Sequence, residues 1–292
     1  MIPTLLLEFD IWSEQPIKFN GFSGVALRGS LFQALDILYT GNDPSFNNRY
    51  QTDPILHLLM RNGGIETITK NTVSPFVIRP SLNDDSKNLT FGISLFGHAR
   101  KLASHIISAV EAMGVIGLGI ERTKFEVHHI RQKFELDNTS KHSQDELDNS
   151  WESLVEFSAR TSITSIALNF LTPTTIIDSK ELCLVPEFKS WFHRLLERIL
   201  QLKQLTQNNN LWIPVEELLT IAETIAIEED NTFQFGRVKS KRYSRKIVGF
   251  QGCVHYEGEV APLLPYIMVG ESVHVGKNTV KGCGRYIIEN LD

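Results

Sequence analysis

Cysteine is scarce in this sequence of 292 residues, which contains Cys183, Cys253 and Cys283 and no C-x-x-C pair. An odd number of widely spaced cysteines favours neither a disulfide framework nor a thiolate zinc site. Nor is there an apolar run of about 18 residues, the length that a transmembrane helix needs. The opening stretch MIPTLLLEFD has no basic region before its short apolar run, which argues against a signal peptide. We therefore expect a cytoplasmic protein in a reducing compartment, with no membrane partner.

Basic residues do not outnumber acidic ones, and the formal net charge is −5 at pH 7. A polyanionic partner would therefore have to be held by a local basic patch. Residues 237–246, RVKSKRYSRK, contain six basic residues and no acidic one. On a strand, Arg237, Lys239 and Lys241 share one face, and Tyr243 could stack on a base. This pattern predicts nucleic-acid binding; the alternative is a solvated edge strand whose lysines prevent aggregation.

Hydrophobic periodicity predicts strands and helices in both halves of the chain. Residues 4–12 form a short apolar stretch typical of a strand, and apolar residues recur at helical spacing over residues 22–38. Residues 186–205 carry one apolar face, as an amphipathic helix does. The polar, acidic residues 135–150 between the halves have almost nothing to bury and are the best candidate for a linker.

The two halves also resemble each other. Each contains a helical segment followed by a glycine turn, a basic residue and a strand, as in GVIGLGIERTKFEV and VGKNTVKGCGRYII. This repetition predicts an α+β protein with tandem ferredoxin-like (RRM-like) domains. We expect an N-terminal domain at 1–134, a linker at 135–150 and a C-terminal domain at 151–292.

The second glycine-rich segment, residues 275–288, looks at first like a nucleotide-binding loop. A Walker A loop requires G-x-x-x-x-G-K-[ST] before a helix, but here Lys277 follows the first glycine and the segment after the loop predicts a strand. A dinucleotide-binding G-x-G-x-x-G pattern fails for the same reason. Two interpretations remain. Either the backbone N–H groups, with Lys277, Lys281 and Arg285, face a phosphate backbone, or the segment is a tight turn with solvated lysines.

The sequence contains nine histidines but no H-E-x-x-H or H-x-H spacing, so it predicts neither a metal site nor a cofactor. His57 and His274 are the histidines whose positions suggest a general acid or base near an RNA phosphate. For each of them, a hydrogen-bonded or solvated histidine is the alternative. Arg28 lies on an otherwise apolar helix, so it needs either a carboxylate or a phosphate as partner.

Nine segments in a fixed order resemble the CRISPR-associated repeat-processing endoribonucleases, the sixth Cas family of the RAMP superfamily. The resemblance implies tandem ferredoxin-like domains and metal-independent cleavage of precursor CRISPR RNA within its repeats. The RNA's 2′-hydroxyl would be the nucleophile, leaving a 2′,3′-cyclic phosphate and a 5′-hydroxyl. The segments are GVALRGSLFQAL, SPFVIRP, GISLFGHARKL, GVIGLGIERTKFEV, LNFLTPT, FHRLLERILQL, KRYSRK, GFQGCVHYEG and HVGKNTVKGCGRY.

The resemblance also implies partners and site residues. The partners are CRISPR repeat RNA and its precursor transcript, together with other Cas effector subunits. In the family the general base is often a histidine near the first helix. His57 is the histidine of this sequence nearest to that position, and Tyr39, Arg49 and Tyr50 lie in the same region. The candidate catalytic residues are His57, Tyr39 and His274. The candidate RNA-binding residues are Arg28, Arg49, Arg237, Lys239, Lys241, Arg242, Tyr243, Arg245, Lys246, Gly276, Lys277, Lys281, Gly282, Gly284 and Arg285.

Two other functions are compatible with the residues. A non-catalytic subunit of a CRISPR effector complex would bind repeat RNA in a salt-sensitive way without cutting it. A nucleotide-dependent switch would use the C-terminal glycine loop to bind ATP or GTP, although the order of its residues argues against this.

Overall fold

The computed structural model describes residues 2–39, 73–82, 86–135, 151–205, 212–236 and 247–292. The chain divides into two compact units, one comprising Ile2–Phe134 and the other Glu135–Asp292. We call them the N-terminal unit and the C-terminal unit.

The N-terminal unit combines a four-stranded sheet with two helices on its buried side. Strand β1 is buried from Thr4 to Leu7. From Glu8 to Trp12 partly exposed side chains alternate with buried ones, because successive residues of a strand point to opposite faces. Leu5, Leu7 and Phe9 of β1 pair with Leu95, Ile93 and Phe91 of β3 in antiparallel register. The elements described in this unit are β1 (Thr4–Trp12), α1 (Ser23–Tyr39), β2 (Phe76–Arg79), β3 (Asn88–Phe96), a 3-10 turn (Gly97–Leu102), α2 (Ala103–Ile116) and β4 (Glu126–Glu135).

The C-terminal unit has a second four-stranded sheet and a larger set of helices. Its longest helix, α4, lays an apolar face over the sheet, with Trp191, Phe192, Leu195 and Leu202 fully buried. The elements described in this unit are α3 (Trp151–Arg160), β5 (Ser165–Thr174), β6 (Ile176–Asp178), β7 (Glu181–Cys183), α4 (Phe188–Leu205), α5 (Val215–Ala222), β8 (Ala226–Phe235), β9 (Gly249–Glu257), α6 (Leu264–Val273) and β10 (Tyr286–Leu291).

Both main sheets have the same strand order. The sheet of the N-terminal unit runs β2-β3-β1-β4, and that of the C-terminal unit runs β10-β5-β9-β8. If the four strands of each sheet are numbered along the chain, both orders become 4-1-3-2, with helices following the first and third strands. This is the split βαβ arrangement of a ferredoxin-like domain. The predicted α+β class with tandem ferredoxin-like domains is confirmed.

Two elements were not predicted from the sequence. Helix α3 begins directly after the polar stretch interpreted as a linker, and residues 136–150 of that stretch lie outside the described residues. Only a few apolar side chains anchor helix α3 to the rest of the unit. Leu154 is buried, and the Trp151 ring lies 5.1 Å from the Tyr266 ring. The second element is the short hairpin of β6 and β7, which follows β5 so closely that the apolar pattern of the three strands merges.

An aromatic cluster fills the core of the C-terminal unit between α4 and the sheet. The Phe188 ring lies 4.9 Å from that of Trp191 and 5.0 Å from that of Tyr256. The Tyr256 hydroxyl accepts a hydrogen bond of 3.0 Å from the indole nitrogen of Trp191 and donates one of 2.5 Å to the Pro186 carbonyl. One buried oxygen thus satisfies two polar groups that have been removed from water, which burial requires.

Removing the Tyr256 hydroxyl should therefore destabilise the protein. We expect Tyr256→Phe to lower the free energy of unfolding by about 2 kcal/mol, because a buried donor and a buried acceptor both lose their partner. Urea unfolding followed by circular dichroism measures this loss. Tyr266→Phe is the matched control, since among the described residues no hydrogen bond to its hydroxyl is found, and we expect a change within about 0.5 kcal/mol. Equal effects of the two substitutions would contradict the assignment.

Candidate nucleic-acid interface

The segment between α6 and β10, residues 274–285, is called the glycine loop below. Its backbone is fixed by hydrogen bonds to itself and to the end of β5. The Val275 N–H donates to the Gly284 carbonyl at 2.9 Å, and the Gly284 N–H donates to the Pro173 carbonyl at 3.1 Å. The Lys277 N–H donates to the Thr175 carbonyl at 2.9 Å. The loop is therefore joined near both of its ends to the C-terminal end of β5 and the residue that follows it.

Two glycines let these backbones approach closely. Gly284 has φ +72°, and a Cβ atom there would lie 1.7 Å from the Val275 carbonyl oxygen. Gly276 has φ +81°, and its Cβ would lie 2.4 Å from the Thr175 carbonyl oxygen. No side chain fits at these distances, and positive φ favours glycine. The glycines are needed for backbone packing within the protein.

This geometry separates the two interpretations of the loop for five of its amides. The N–H groups of Lys277, Lys281, Gly282, Cys283 and Gly284 all donate to carbonyls of the same unit. These five amides are therefore not available to an RNA phosphate, which favours the alternative of a tight turn for this part of the loop. Gly282 and Gly284 are also buried.

The charged side chains of the loop reach its surface to different extents. Lys277 is exposed, whereas Lys281 and Arg285 are half-buried. The Lys281 ammonium donates to the side-chain oxygen of Asn278 at 3.2 Å. Lys277 is thus the loop cation with the freest access to a ligand.

A pocket of about 120 Å³ lies beside Lys277. Helix α4 contributes two arginines, Arg194 and Arg198, which the sequence reasoning did not select. The missed signal is the position of Arg198, which shares the helical spacing of Leu195 and Leu202 and so lies on the buried stripe of α4. The lining residues are Thr175, Ile177, Arg194, Glu197, Arg198, Gln201, Gly276 and Lys277.

Two of the predicted site residues lie in the protein interior. His274 is completely buried, so its imidazole presents no surface to RNA, and the structure argues against the predicted catalytic role. Arg28 is 9% exposed, and its guanidinium lies 5.3 Å from the centre of the Phe32 ring and 5.5 Å from that of Phe76. Such cation–π contacts hold the Arg28 charge within the N-terminal unit. This placement favours a structural role over the predicted RNA contact.

Tyr39, the last residue of α1, is half-exposed and close to a histidine. Its ring centre lies 5.1 Å from that of His105 on α2, with the rings tilted by 40°. Partial burial raises the pKa of the Tyr39 hydroxyl above its usual value of about 10. His105 is 66 positions away in sequence, so only the packing of α1 and α2 reveals the pair.

The remaining predicted residues lie outside the described part of the chain. They are His57, Arg49 and Tyr50, together with the basic stretch 237–246, which contains Arg237, Lys239, Lys241, Arg242, Tyr243, Arg245 and Lys246. Within the described ranges, no group of three or more His, Cys, Asp or Glu residues is placed to hold a metal ion. No helix in those ranges combines the length and apolarity needed to cross a membrane.

Two family models match the chain. Residues 2–150 match the AF_1859_N model, which describes an N-terminal domain, and residues 168–286 match the model of the CRISPR-associated endoribonuclease Cas6. The first match spans more than half of the chain, so the chain belongs to that family. With the Cas6 match in its C-terminal part, the chain is a Cas6-like protein, and the resemblance inferred from the sequence is confirmed. These matches place the protein in CRISPR RNA processing.

Solved structures support the same fold. Thermus thermophilus Cas6 (TTHB231) is similar with a TM-score of 0.59 and 16% identity, and the match covers 99% of each chain. A product complex of Cas6 (TTHA0078) gives a TM-score of 0.59 at 17% identity, covering 99% of this chain and 100% of that one. A partial Cas6-RT-Cas1–Cas2 complex gives 0.62 at 13% identity, covering 100% of this chain and 46% of the other. A search of curated protein sequences finds no significant match.

Gly284→Ala tests whether the glycine loop depends on close backbone packing. We expect it to lower the free energy of unfolding by about 3 kcal/mol, because the new methyl group meets the Val275 carbonyl and the backbone keeps a positive φ. Calorimetric unfolding measures the loss. The control is Gly29→Ala on α1, where a Cβ meets nothing within 4 Å and alanine should stabilise the helix by up to about 1 kcal/mol. A neutral Gly284→Ala would refute this view of the loop.

Proposed function

We propose that the chain is an endoribonuclease that cuts CRISPR precursor RNA within its repeats and so releases guide RNAs. The observation that carries the proposal is the match of residues 168–286 to the Cas6 endoribonuclease model. That segment includes both the glycine loop and α4. Repeat RNA is the proposed substrate and other Cas subunits are proposed partners, as the product complex and the Cas6-RT-Cas1–Cas2 complex among the similar structures suggest.

The proposed reaction is an internal transesterification that needs no metal ion. The 2′-oxygen of one ribose forms a bond to the adjacent phosphorus, and the bond from phosphorus to the 5′-oxygen breaks. The proton of the 2′-hydroxyl passes to a base on the protein, and an acid supplies a proton to the leaving 5′-oxygen. Cations near the phosphate stabilise the charge that develops on its oxygens.

Tyr39 and His105 are a candidate pair for the two proton transfers. The Tyr39 hydroxyl is protonated at neutral pH, as an ordinary phenol is and as its raised pKa ensures, and it can donate to the leaving oxygen. An imidazole is the side chain best suited to accept a proton near neutral pH, and His105 lies against the Tyr39 ring. His57 stays a second candidate for the base.

Binding of the RNA is assigned to local cations, since the protein carries a net negative charge. We propose that Lys277, Lys281 and Arg285 contact the phosphate backbone from the glycine loop. The basic stretch 237–246 is proposed to contact the repeat as well, with Tyr243 stacking on a base. Phosphate contacts of this kind position the RNA, and base contacts specify its sequence.

The function is tested with purified protein and its cognate repeat RNA in the presence of EDTA. We expect cleavage to give a 2′,3′-cyclic phosphate and a 5′-hydroxyl, because the attacking group belongs to the RNA itself. The control substrate carries a single 2′-deoxyribose at the cleavage position and should bind equally well without being cut. Salt-sensitive binding of the unmodified repeat without any product would instead identify a non-catalytic RNA-binding subunit.

Substitutions at Tyr39 and His105 test the catalytic pair. We expect Tyr39→Phe and His105→Ala each to slow single-turnover cleavage by roughly 100-fold, the contribution typical of a general acid or base, with little change in RNA affinity. His98→Ala, which removes an exposed histidine of the same unit, is the control and should cleave at the wild-type rate. Wild-type rates for both variants would shift the assignment to His57.

A further inference from the structure

Arg198 is a buried cation whose surroundings do not fully satisfy it. Its side chain is 7% exposed, and its Nε donates to the Val273 carbonyl at 2.6 Å. Among the described residues, its Nη2 has no hydrogen-bond partner. No carboxylate in those residues forms an ion pair with it either; the ion pairs of α4 involve its neighbours Lys189, His193 and Arg194.

Such an arrangement is costly in a protein interior. Burial lowers the pKa of Arg198 to about 9, because the charged form loses its hydration. The guanidinium is nevertheless protonated at neutral pH, so its positive charge stays in place. A buried charge that lacks both a counter-ion and a full set of hydrogen bonds is strongly unfavourable. An anion beside Arg198 would remove that penalty.

The pocket lined by Arg198 has several cationic side chains in its lining. Arg194 and Lys277 bring two further cations to its lining, and Gln201 brings an amide. The acidic lining residue is Glu197, which accepts a hydrogen bond from Arg194 at 2.7 Å and lies 3.7 Å from the His193 ring nitrogen. The Glu197 carboxylate is thus engaged by Arg194, and among the described residues no ion pair joins it to Arg198.

Arg194 likewise has a buried N–H group without an acceptor among the described residues. Its Nη1 binds Glu197, and its Nη2 lies 3.6 Å from Asp178. Its buried Nε has no hydrogen-bond partner among the residues that the structure describes. Two arginines of one helix therefore each hold a buried N–H group to which the described residues offer no acceptor.

The size of the pocket restricts the ligand. Its volume of about 120 Å³ equals the space of about four water molecules. This is below the roughly 300 Å³ of pockets that enclose whole small molecules. A single tetrahedral phosphate group fits such a volume, and guanidinium groups match phosphate oxygens in geometry and charge.

We propose that this pocket is a phosphate site in which Arg198, Arg194 and Lys277 hold one phosphate group. The group is either a backbone phosphate of RNA or free inorganic phosphate, and its assignment to RNA rests on the proposed function. Arg198 also donates a hydrogen bond to the carbonyl of Val273, the residue directly before the glycine loop. The same side chain would therefore contact both the phosphate and the start of the loop.

The site is tested on the intact chain by calorimetric unfolding in inorganic phosphate and in chloride at equal ionic strength. We expect phosphate at about ten times its Kd to raise the wild-type Tm by about 3 °C. Arg198→Lys keeps the positive charge but removes the Nη2 donor, so its Tm should no longer rise in phosphate. Lys189→Ala removes a cation of the same helix that pairs with Glu223 outside the pocket, and it should keep the response.

A second variant decides the matter even if Arg198→Lys folds poorly. Gln201→Glu introduces a carboxylate into the lining and should act as a built-in anion. We expect its Tm in chloride to be higher than that of the wild type and its response to phosphate to be lost. A lower Tm in chloride together with a wild-type phosphate response would contradict the proposed site.

Affinity for repeat RNA distinguishes the two sources of phosphate. If the source is RNA, Arg198→Lys should weaken binding about tenfold and reduce the salt slope by about one, while Lys189→Ala should not. A phosphate response that depends on Arg198 with unchanged RNA affinity would identify free phosphate as the ligand and overturn the assignment to RNA. Identical phosphate responses and RNA affinities in wild type, Arg198→Lys and Gln201→Glu would overturn the site itself. Absence of RNA cleavage would count against the proposed function alone, because the phosphate response needs no cleavage.

Discussion

The hydrogen bonds between the glycine loop and β5 fix the geometry of the candidate interface. Gly284 accepts from Val275 within the loop and donates to Pro173 at the end of β5. Thr172 adds a side-chain connection, because its hydroxyl donates to the Gly282 carbonyl at 2.8 Å and accepts from the Arg285 N–H at 2.9 Å. These contacts place the loop at the edge of the sheet and occupy several of its amides, so that the exposed side chain of Lys277 is a cation that a ligand would meet there.

The same contacts bring the loop against α4 and explain why a glycine-rich segment precedes the last strand. The chain must leave α6, pass the end of β5 and enter β10 beside it within 12 residues. Backbone separations this short exclude a Cβ atom at Gly276 and Gly284. Lys277 then lines the same pocket as Arg194 and Arg198. In an acidic protein, such a concentration of cations supplies an attraction for RNA that the net charge does not.

Much of the fold could be predicted from the sequence, because its strongest signals are periodic. The short apolar run of β1, the apolar face of α4 and the strand after the glycine loop are local patterns, and the repetition of the halves indicated two similar domains. Helix α3 escaped prediction because its few apolar residues follow a polar run. The short hairpin of β6 and β7 escaped because it has no pattern distinct from that of β5.

The candidate site was harder to predict, because its residues come together only through tertiary contacts. His274 and Arg28 were selected for their positions in sequence, and burial places both in the interior. Arg198, like Arg28, is a charged residue on the apolar face of a helix. What distinguishes Arg198 is that its Nη2 has no hydrogen-bond partner among the described residues. Tyr39 was selected from its region, whereas its neighbour His105 depends on the packing of α1 against α2.

A structure of the protein bound to repeat RNA with a 2′-deoxyribose at the cleavage position tests the central claim most directly. We predict a backbone phosphate within hydrogen-bonding distance of Lys277 Nζ and Arg198 Nη2, with the glycine loop unchanged. We also predict the scissile phosphate next to Tyr39 or His57. RNA bound to a different face of the C-terminal unit, with the α4 pocket empty, would contradict the account.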